Sequence, residues 1–243
     1  MIGCHCPVCR SADPRDQRTR SSIFLETPRA KILVDTTPDL RQQCLREGLD
    51  RLDAVIFTHP HADHIMGFDD LRRFCEMQGG PLAIYGSEHT LGQIERIFFY
   101  AFNPKKNIPG YVHVVSHPVA ETFSLGGLDV TPLPVPHGSI STNGYLFAQG
   151  SRKLLAYLSD CAEVPDAIRQ LIAGVEVLII DGLREKFHPT HLNVEGAVAA
   201  AQAIGAGRSF LTHQTHEKTH VDRSRGLPKG IEVAYDGMRL EFA

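Results

Sequence analysis

No segment of this 243-residue sequence is apolar for long enough to span a membrane, and Met1 to Arg10 is polar and cysteine-rich where an export signal would show a basic stretch and then an apolar core. A soluble, cytoplasmic protein with no membrane contact is expected. Charge of one sign is lacking too: 25 Lys and Arg stand against 28 Asp and Glu, the formal net charge is -3, and neither a long run of one sign nor a basic arm occurs. Nucleic acid is therefore not an expected partner, because gripping its backbone takes clustered cations. Repeats and linkers are also lacking, so one domain over residues 1–243 is expected, with 42% hydrophobic residues to fill its core. Histidine and cysteine are what the sequence has in plenty. Several of the 13 histidines sit at short, regular spacings, and the six cysteines, in a chain without an export signal, read better as metal ligands than as disulfides wherever they cluster.

Strand-like runs alternate with helical ones. Ser21 to Glu26, Lys31 to Asp35, Ala54 to Thr58, Leu82 to Tyr85, Val112 to Val115 and Val130 to Leu133 read as strands. Tyr145 to Ala148, Lys153 to Leu158, Val175 to Asp181, Ser209 to Thr212 and a final hairpin from Ile231 to Phe242, turning at Asp236 and Gly237, continue the pattern. Helical periodicity covers Pro38 to Glu47, Phe68 to Met77, Glu88 to Phe102, Pro165 to Ala173 and Val194 to Ile204, with Thr37, Ser87 and Asn193 as N-caps. Asn103 to Pro109 and His216 to Pro228 read as surface loops. Strands early and late with helices dispersed between them suit two packed sheets covered by helices.

The chemistry concentrates after the apolar strand Ala54 to Phe57, where Thr58-His59-Pro60-His61-Ala62-Asp63-His64 offers four ligands in six residues. His59 and His61, two apart in an extended segment, project to one side, and Asp63 and His64 lie beyond the bend, so two ligand pairs can face two neighbouring metals. A loop of solvated polar residues with Asp63 capping a helix is the bland alternative, and the ligand density argues against it. Three further residues follow apolar strands: His137 in Pro134-Val135-Pro136-His137-Gly138, Asp160 in Leu158-Ser159-Asp160, and His213 in Leu211-Thr212-His213. Each is a weak signal singly, since such residues often serve turns, and a stronger one beside the cluster.

With these residues in view the sequence resembles the metallo-β-lactamase-fold hydrolase superfamily, whose His-x-His-x-Asp-His hallmark is matched at His59, His61, Asp63 and His64, followed in the family's order by His137, Asp160 and His213. The resemblance runs over almost the whole chain. It implies an α/β (α+β) fold, a four-layer αββα sandwich with a binuclear site at one edge. It also implies the ligand sets: His59, His61 and His137 for the first metal, Asp63, His64 and His213 for the second, and Asp160 bridging. Metal pairs about 3.5–4 Å apart lower the pKa of a shared water and clamp the attacking and leaving oxygens, so hydroxide is the expected nucleophile. Two divalent ions, manganese or zinc, are the expected cofactors, although nitrogen and carboxylate donors also admit iron or nickel.

Cys4-His5-Cys6-Pro7-Val8-Cys9 packs three thiols into six residues, and a fourth ligand, His216 or His220, would close a tetrahedral zinc site. A redox role fits the spacing less well. This combination narrows the resemblance to the PhnP-like phosphodiesterases of carbon-phosphorus lyase pathways, which implies Cys4, Cys6, Cys9 and His216 as ligands of a structural zinc. Relatives of that family usually begin with a strand and a Gly/Ser/Thr-rich turn ahead of the cysteines, whereas this sequence starts two residues before Gly3. Either that strand is missing or the recorded start is late, and the late start is the expectation, because a missing strand would expose a sheet edge. The same family implies a catalytic role for His191 in His188-Pro189-Thr190-His191-Leu192-Asn193, binding the substrate phosphate or protonating the leaving alkoxide ahead of a helix N-terminus that favours anions.

Cys44, Cys75 and Cys161 read as small buried residues, and His5, His89, His113 and His117 as structural or surface ones. The run Phe98, Phe99, Tyr100 and Phe102 suits a core, a dimer face or a substrate pocket. The leading expectation is a metal-dependent phosphodiesterase acting on a small, cyclic phosphodiester through a hydroxide bridging two metals, as a monomer or a homodimer. The alternatives are RNA processing, thioester or lactone hydrolysis, and a non-catalytic accessory protein of cofactor biosynthesis.

Overall fold

The computed structural model describes residues 1–102 and 110–242; the expected loop Asn103 to Pro109 lies outside the described residues. The chain forms two compact units, one of residues 20–132 and one of residues 1–19 with 133–243.

In the unit of residues 20–132, β1 (Ile23–Glu26) and β2 (Lys31–Val34) make an antiparallel hairpin in the register Ile23↔Val34. Thr27 closes its turn, Oγ1 accepting from the backbone N–H groups of Arg29 and Ala30. Next come α1 (Leu40–Glu47), β3 (Ala54–Ile56), α2 (Ala62–Ile65), α3 (Arg72–Gln78), β4 (Leu82–Gly86), α4 (Glu88–Ile97) and β5 (Val114–Pro118). Strands β2 to β5 pair in parallel, completing a five-stranded sheet of order β1-β2-β3-β4-β5. Parallel pairing demands crossovers, which is why helices fall between these strands. Leu33, Val55, Phe57 and Ile84 pack in one core with Leu40, Ile65, Phe68, Leu71 and Ile94 from the crossovers. Outside that sheet, β6 (Phe123–Leu125) and the start of β7 (Leu128–His137) form an antiparallel hairpin that turns at Gly126 and Gly127, both at positive φ.

Several boundaries differ from the expected ones. Helix α1 starts after Asp39, because the Thr37 hydroxyl accepts from Asp39 N–H in a turn one step earlier. The expected helix Phe68 to Met77 is a 3₁₀ turn, Phe68–Leu71, followed by α3. Likewise α4 stops at Ile97 and a 3₁₀ turn holds Phe99–Phe102. The aromatic run mostly fills the core, with Phe98 stacked on Phe68 at 4.7 Å and the Tyr100 hydroxyl donating to Asp69 at 2.8 Å. Phe99 alone of the four is largely exposed, at 72%. Gly67 is required by proximity, since a Cβ there would lie 2.0 Å from the Thr37 carbonyl oxygen.

In the unit of residues 1–19 and 133–243, the rest of β7 is followed by β8 (Ile140–Gln149), β9 (Arg152–Leu158), α5 (Asp166–Ile172), β10 (Val177–Asp181), α6 (Val194–Ile204), β11 (Arg208–Thr212), α7 (His220–Arg225) and β12 (Ile231–Val233). The strand order is β12-β11-β10-β9-β8-β7, antiparallel at β8-β9 and parallel from β9 to β12. Leu158, Leu178, Ile180 and Leu211 share a core with Ile168, Ile172, Ala197, Ala201 and Ile204, the alanines letting α6 approach closely. Ser87 and Asn193 cap α4 and α6 as expected, accepting from Thr90 and Gly196 N–H.

Two expectations fail in this unit. No hairpin ends the chain: β12 pairs in parallel with β11, no strand follows it among the described residues, and Asp236 accepts from the N–H and hydroxyl of Thr19. The segment His216 to Pro228 is not all loop, since α7 lies inside it, capped by Thr219 accepting from Asp222 N–H. Five polar or charged residues and one valine carry too little hydrophobic period to announce a helix. No described helix is long and apolar enough to cross a membrane. Ile180→Ala, in the middle of β10, is expected to lower unfolding stability by about 2–5 kcal/mol, read from a denaturant midpoint that falls while the slope stays constant.

Candidate metal centre

The motif Thr58 to His64 follows β3 directly, and its geometry rests on a buried carboxylate. Asp35, one residue past β2 at φ 65, is fully buried and accepts three hydrogen bonds, from Thr58 N–H at 2.8 Å, the Thr58 hydroxyl at 2.8 Å and His64 Nδ1 at 2.8 Å. Burial raises the Asp35 carboxyl above its ordinary value, and the His64 ring and the Thr58 donors offset part of that rise. With Nδ1–H donating to Asp35, Nε2 is the lone-pair nitrogen of a neutral His64. The Thr58 hydroxyl, spent as a donor on Asp35, accepts from His59 Nδ1 at 3.0 Å, which makes Nε2 the lone-pair atom of His59 as well. That Nε2 stands 3.0 Å from His61 Nδ1, a separation at which two ring nitrogens need a proton or a cation between them. Asp63 lies in the first turn of α2, its Oδ2 3.6 Å from His64 Nε2. All four motif residues thus converge within this unit.

In the other unit, His137, Asp160 and His213 come together from three strand ends. His137 closes β7 and donates from Nδ1 to the Thr190 carbonyl at 2.7 Å, leaving Nε2 as the lone-pair atom, 3.9 Å from Asp160 Oδ2. Burial holds the His137 imidazole below its usual range and so favours the neutral, ligating form. His213 follows β11 at φ 58 with Nε2 3.3 Å from the same Asp160 oxygen. A left-handed residue other than glycine is uncommon and marks a site where surrounding bonds impose the conformation. Here Gln214 donates from its side chain to the Gly182 carbonyl, Thr215 N–H donates to Leu183, and Arg18 donates to the Thr215 carbonyl at 2.6 Å.

His191 joins this group. Its Nδ1 lies 2.7 Å from Asp181 Oδ2 and 3.9 Å from Asp160 Oδ2, and its ring is 4.6 Å from that of His137 and stacked 5.0 Å from that of His213. Burial pushes Asp181 well above the carboxylate range, so one proton is held between it and His191, and Nε2 is the atom His191 offers outward. The ligand atoms of His137, Asp160 and His191 lie within 4.8 Å of one another. Asp35 and Asp181 were absent from the expected site. Both end or follow apolar strands, as Asp160 does, so the signal that found Asp160 was present for all three.

Cys4, Cys6, Cys9 and His216 also converge, their ligand atoms all within 4.8 Å of one another. The His216 Nδ1 is 3.5 Å from Cys4 Sγ and 3.4 Å from Cys6 Sγ, spacings that suit four ligands each about 2.0–2.3 Å from a common zinc centre. Cys6 is lowered to about 6 by the Cys9 backbone N–H and then by His216, which favours the thiolate that a metal ligand needs. The other candidate, His220, stays outside this group, packing edge-on against Tyr235 while its backbone N–H donates to Asp16. Cys75 and Cys161 are buried as expected, and Cys44 is partly so.

A family model described as a β-lactamase superfamily domain matches residues 30–214, three quarters of the chain. The chain belongs to the β-lactamase superfamily. Its mixed α/β architecture of two sheets and helices is that of the family's metallo-hydrolases, as expected. A solved structure of a diphosphatase from the PhnP family is 39% identical, with a TM-score of 0.90 over 100% of this chain and 92% of that one. An octanoyltransferase of Porphyromonas gingivalis is 36% identical over 98% of this chain but only 48% of its own length, so the chain spans about half of that relative. Coenzyme PQQ synthesis protein B of Methylobacterium radiotolerans is 28% identical over 98% of this chain and 94% of its own. The Zn²⁺-bound structure of PqqB from Methylobacterium extorquens, at 24% identity and a TM-score of 0.79, shares the superfamily fold.

Cys6→Ser is expected to leave the purified protein with one metal ion fewer per chain than the parent, counted by elemental analysis. In metal-free protein, iodoacetamide is expected to alkylate Cys6 at neutral pH and to slow as pH falls through about 6, because protonation removes the thiolate; a midpoint near the ordinary thiol value would contradict the assigned cause.

Proposed function

We propose that this β-lactamase superfamily chain is a metal-dependent phosphodiesterase that hydrolyses a small, cyclic phosphodiester. The observation that carries the reading is the pair of carboxylate-oriented imidazoles, His64 on Asp35 and His191 on Asp181, each bound through Nδ1 so that Nε2 is the atom it brings to the chemistry. In the proposed site His59, His61 and His137 hold one divalent ion, Asp63, His64 and His213 hold a second, and Asp160 bridges. Cys4, Cys6, Cys9 and His216 hold a structural zinc. When bound, a divalent pair supplies an activated water and positive charge against the nonbridging oxygens of a phosphodiester.

The remaining work falls to the chain. An alkoxide is a poor leaving group and needs a proton as the P–O bond breaks. With Asp181 protonated toward Nδ1, His191 carries its own proton on Nε2, gives it to the alkoxide oxygen and takes the Asp181 proton onto Nδ1, while Asp181 keeps the ring oriented. Burial holds His137 neutral, so its lone pair is not lost to a proton near neutral pH. No serine or cysteine nucleophile is needed, which agrees with Cys161 being fully buried with its thiol pushed far up by desolvation. We further propose that the two units form one functional domain. The proposed protein is a cytoplasmic homodimer acting on a small molecule, with neither membrane nor nucleic acid as partner.

A second reading, hydrolysis of acyl thioesters or esters, draws on the relative named for octanoyl transfer, and an accessory role draws on the coenzyme PQQ synthesis proteins. Chelator-treated protein reloaded with manganese or zinc is expected to cleave a 2′,3′-cyclic nucleotide and an aryl phosphodiester, and His61→Ala to fall below detection. Asp35→Ala is expected to lose about 10–100-fold in metal affinity or rate. Full metal occupancy with turnover of thioesters alone would replace the phosphodiester reading; full occupancy with no turnover at all would favour the accessory one.

A further inference from the structure

The loop between β10 and α6 carries a feature that the metal chemistry does not use. Its base is tied shut: Leu183 N–H donates to Leu192, Val194 N–H to Arg184, and the Asn193 side chain to the Glu185 carbonyl. Glu185 extends the anchorage, its N–H donating to Glu217 and its carboxylate receiving Arg223 at 2.7 Å and Lys218 at 3.0 Å. Arg223 is almost completely buried, so a guanidinium has been taken out of water to hold this loop from beneath. Arg184 fixes the tip from within, donating to the carbonyls of Lys186 and Phe187 at 3.3 and 2.8 Å.

On this braced tip sits Phe187, 79% exposed, more than any other aromatic residue among the described ones. Lys186 precedes it, exposed and in no ion pair among the described residues. His188 follows, its Nδ1 accepting from Thr190 N–H and its ring 5.0 Å from that of His191. A flexible loop end often exposes a phenylalanine by chance, whereas this backbone is held by side chains on both sides. A rigid exposed ring loses little entropy when something covers it. The chemistry that suits a flat apolar face flanked by an ammonium and an imidazole is a planar ring linked to phosphate.

We propose that Phe187 is a specificity-determining residue, the stacking platform for a nucleobase carried by the substrate's leaving group, with Lys186 attracting the substrate's phosphate charge. The proposal rests on the phosphodiesterase reading for its place in turnover, because His191, the leaving-group acid, lies three residues beyond His188 on the same loop. It separates from that reading by experiment. The sequence contains six tyrosines but no tryptophan, so Phe187→Trp installs one indole at the tip that can be excited selectively. Saturable quenching of its emission by adenosine monophosphate, and none by ribose 5-phosphate, is expected. No quenching at millimolar nucleotide, or equal quenching by both, overturns the platform. In turnover, the kcat/KM ratio of 2′,3′-cyclic AMP over base-free methyl ribose 2,3-cyclic phosphate is expected to drop about tenfold in Phe187→Ala. Phe99→Ala, which removes an exposed ring of the other unit, serves as the control and leaves that ratio where it was. An unchanged ratio in Phe187→Ala overturns the specificity role. If the parent protein hydrolyses neither ester, the phosphodiesterase reading fails, and the fluorescence titration still decides whether the loop binds a nucleobase.

Discussion

Three donors converge on the carboxylate of Asp35, and the arrangement of the histidine motif follows from that one buried acceptor. Thr58 N–H ties it to the backbone leaving β3, the Thr58 hydroxyl passes its orientation to His59, and the His64 ring closes the set across the bend of α2. An ionised carboxylate out of contact with water is tolerable only when such bonds replace its hydration, so removing any donor leaves the others miswired. The parallel pairing of β2 with β3 brings Asp35 opposite the motif, and this makes the sheet register part of the site.

The same device recurs in the other unit with different hardware. Asp181 ends β10 as Asp35 follows β2, and each orders an imidazole through its Nδ1. Parallel sheets put successive strand ends along one edge, so acids and histidines just past those ends meet without any long excursion of the chain. His137, Asp160, Asp181 and His213 come from β7, β9, β10 and β11, and their convergence is a consequence of strand order rather than of sequence proximity.

The segment Thr212 to His216 couples two centres. His213 faces Asp160 while His216, three residues on, lies among the N-terminal thiols, and between them Gln214 and Thr215 are fastened to Gly182 and Leu183. Arg18 holds the Thr215 carbonyl from the N-terminal side, and Asp16 beside it receives the N–H of His220. Residues 4–18 therefore act as a strap over this segment, and the left-handed backbone of His213 is maintained by bonds made on either side of it.

Much of this was legible in the order of residues. The ligand spacing of His59, His61, Asp63 and His64, the lone strand-end residues His137, Asp160 and His213, and the cysteine triplet with a late histidine are local patterns whose chemistry is fixed by side-chain type. Strands with clear apolar runs and helices with capping residues such as Ser87 and Asn193 were equally readable, because both signals act within a few residues. Tertiary structure decided the rest. It chose His216 over His220 for the thiol cluster, placed β12 in parallel instead of in a hairpin, hid a helix in a charged segment, and revealed Asp35 and Asp181 as the acids that orient the ring nitrogens. Each of these depends on which distant groups are brought within about 3 Å, and hydrogen bonds of that length are set by packing and strand register, quantities no single stretch of sequence contains.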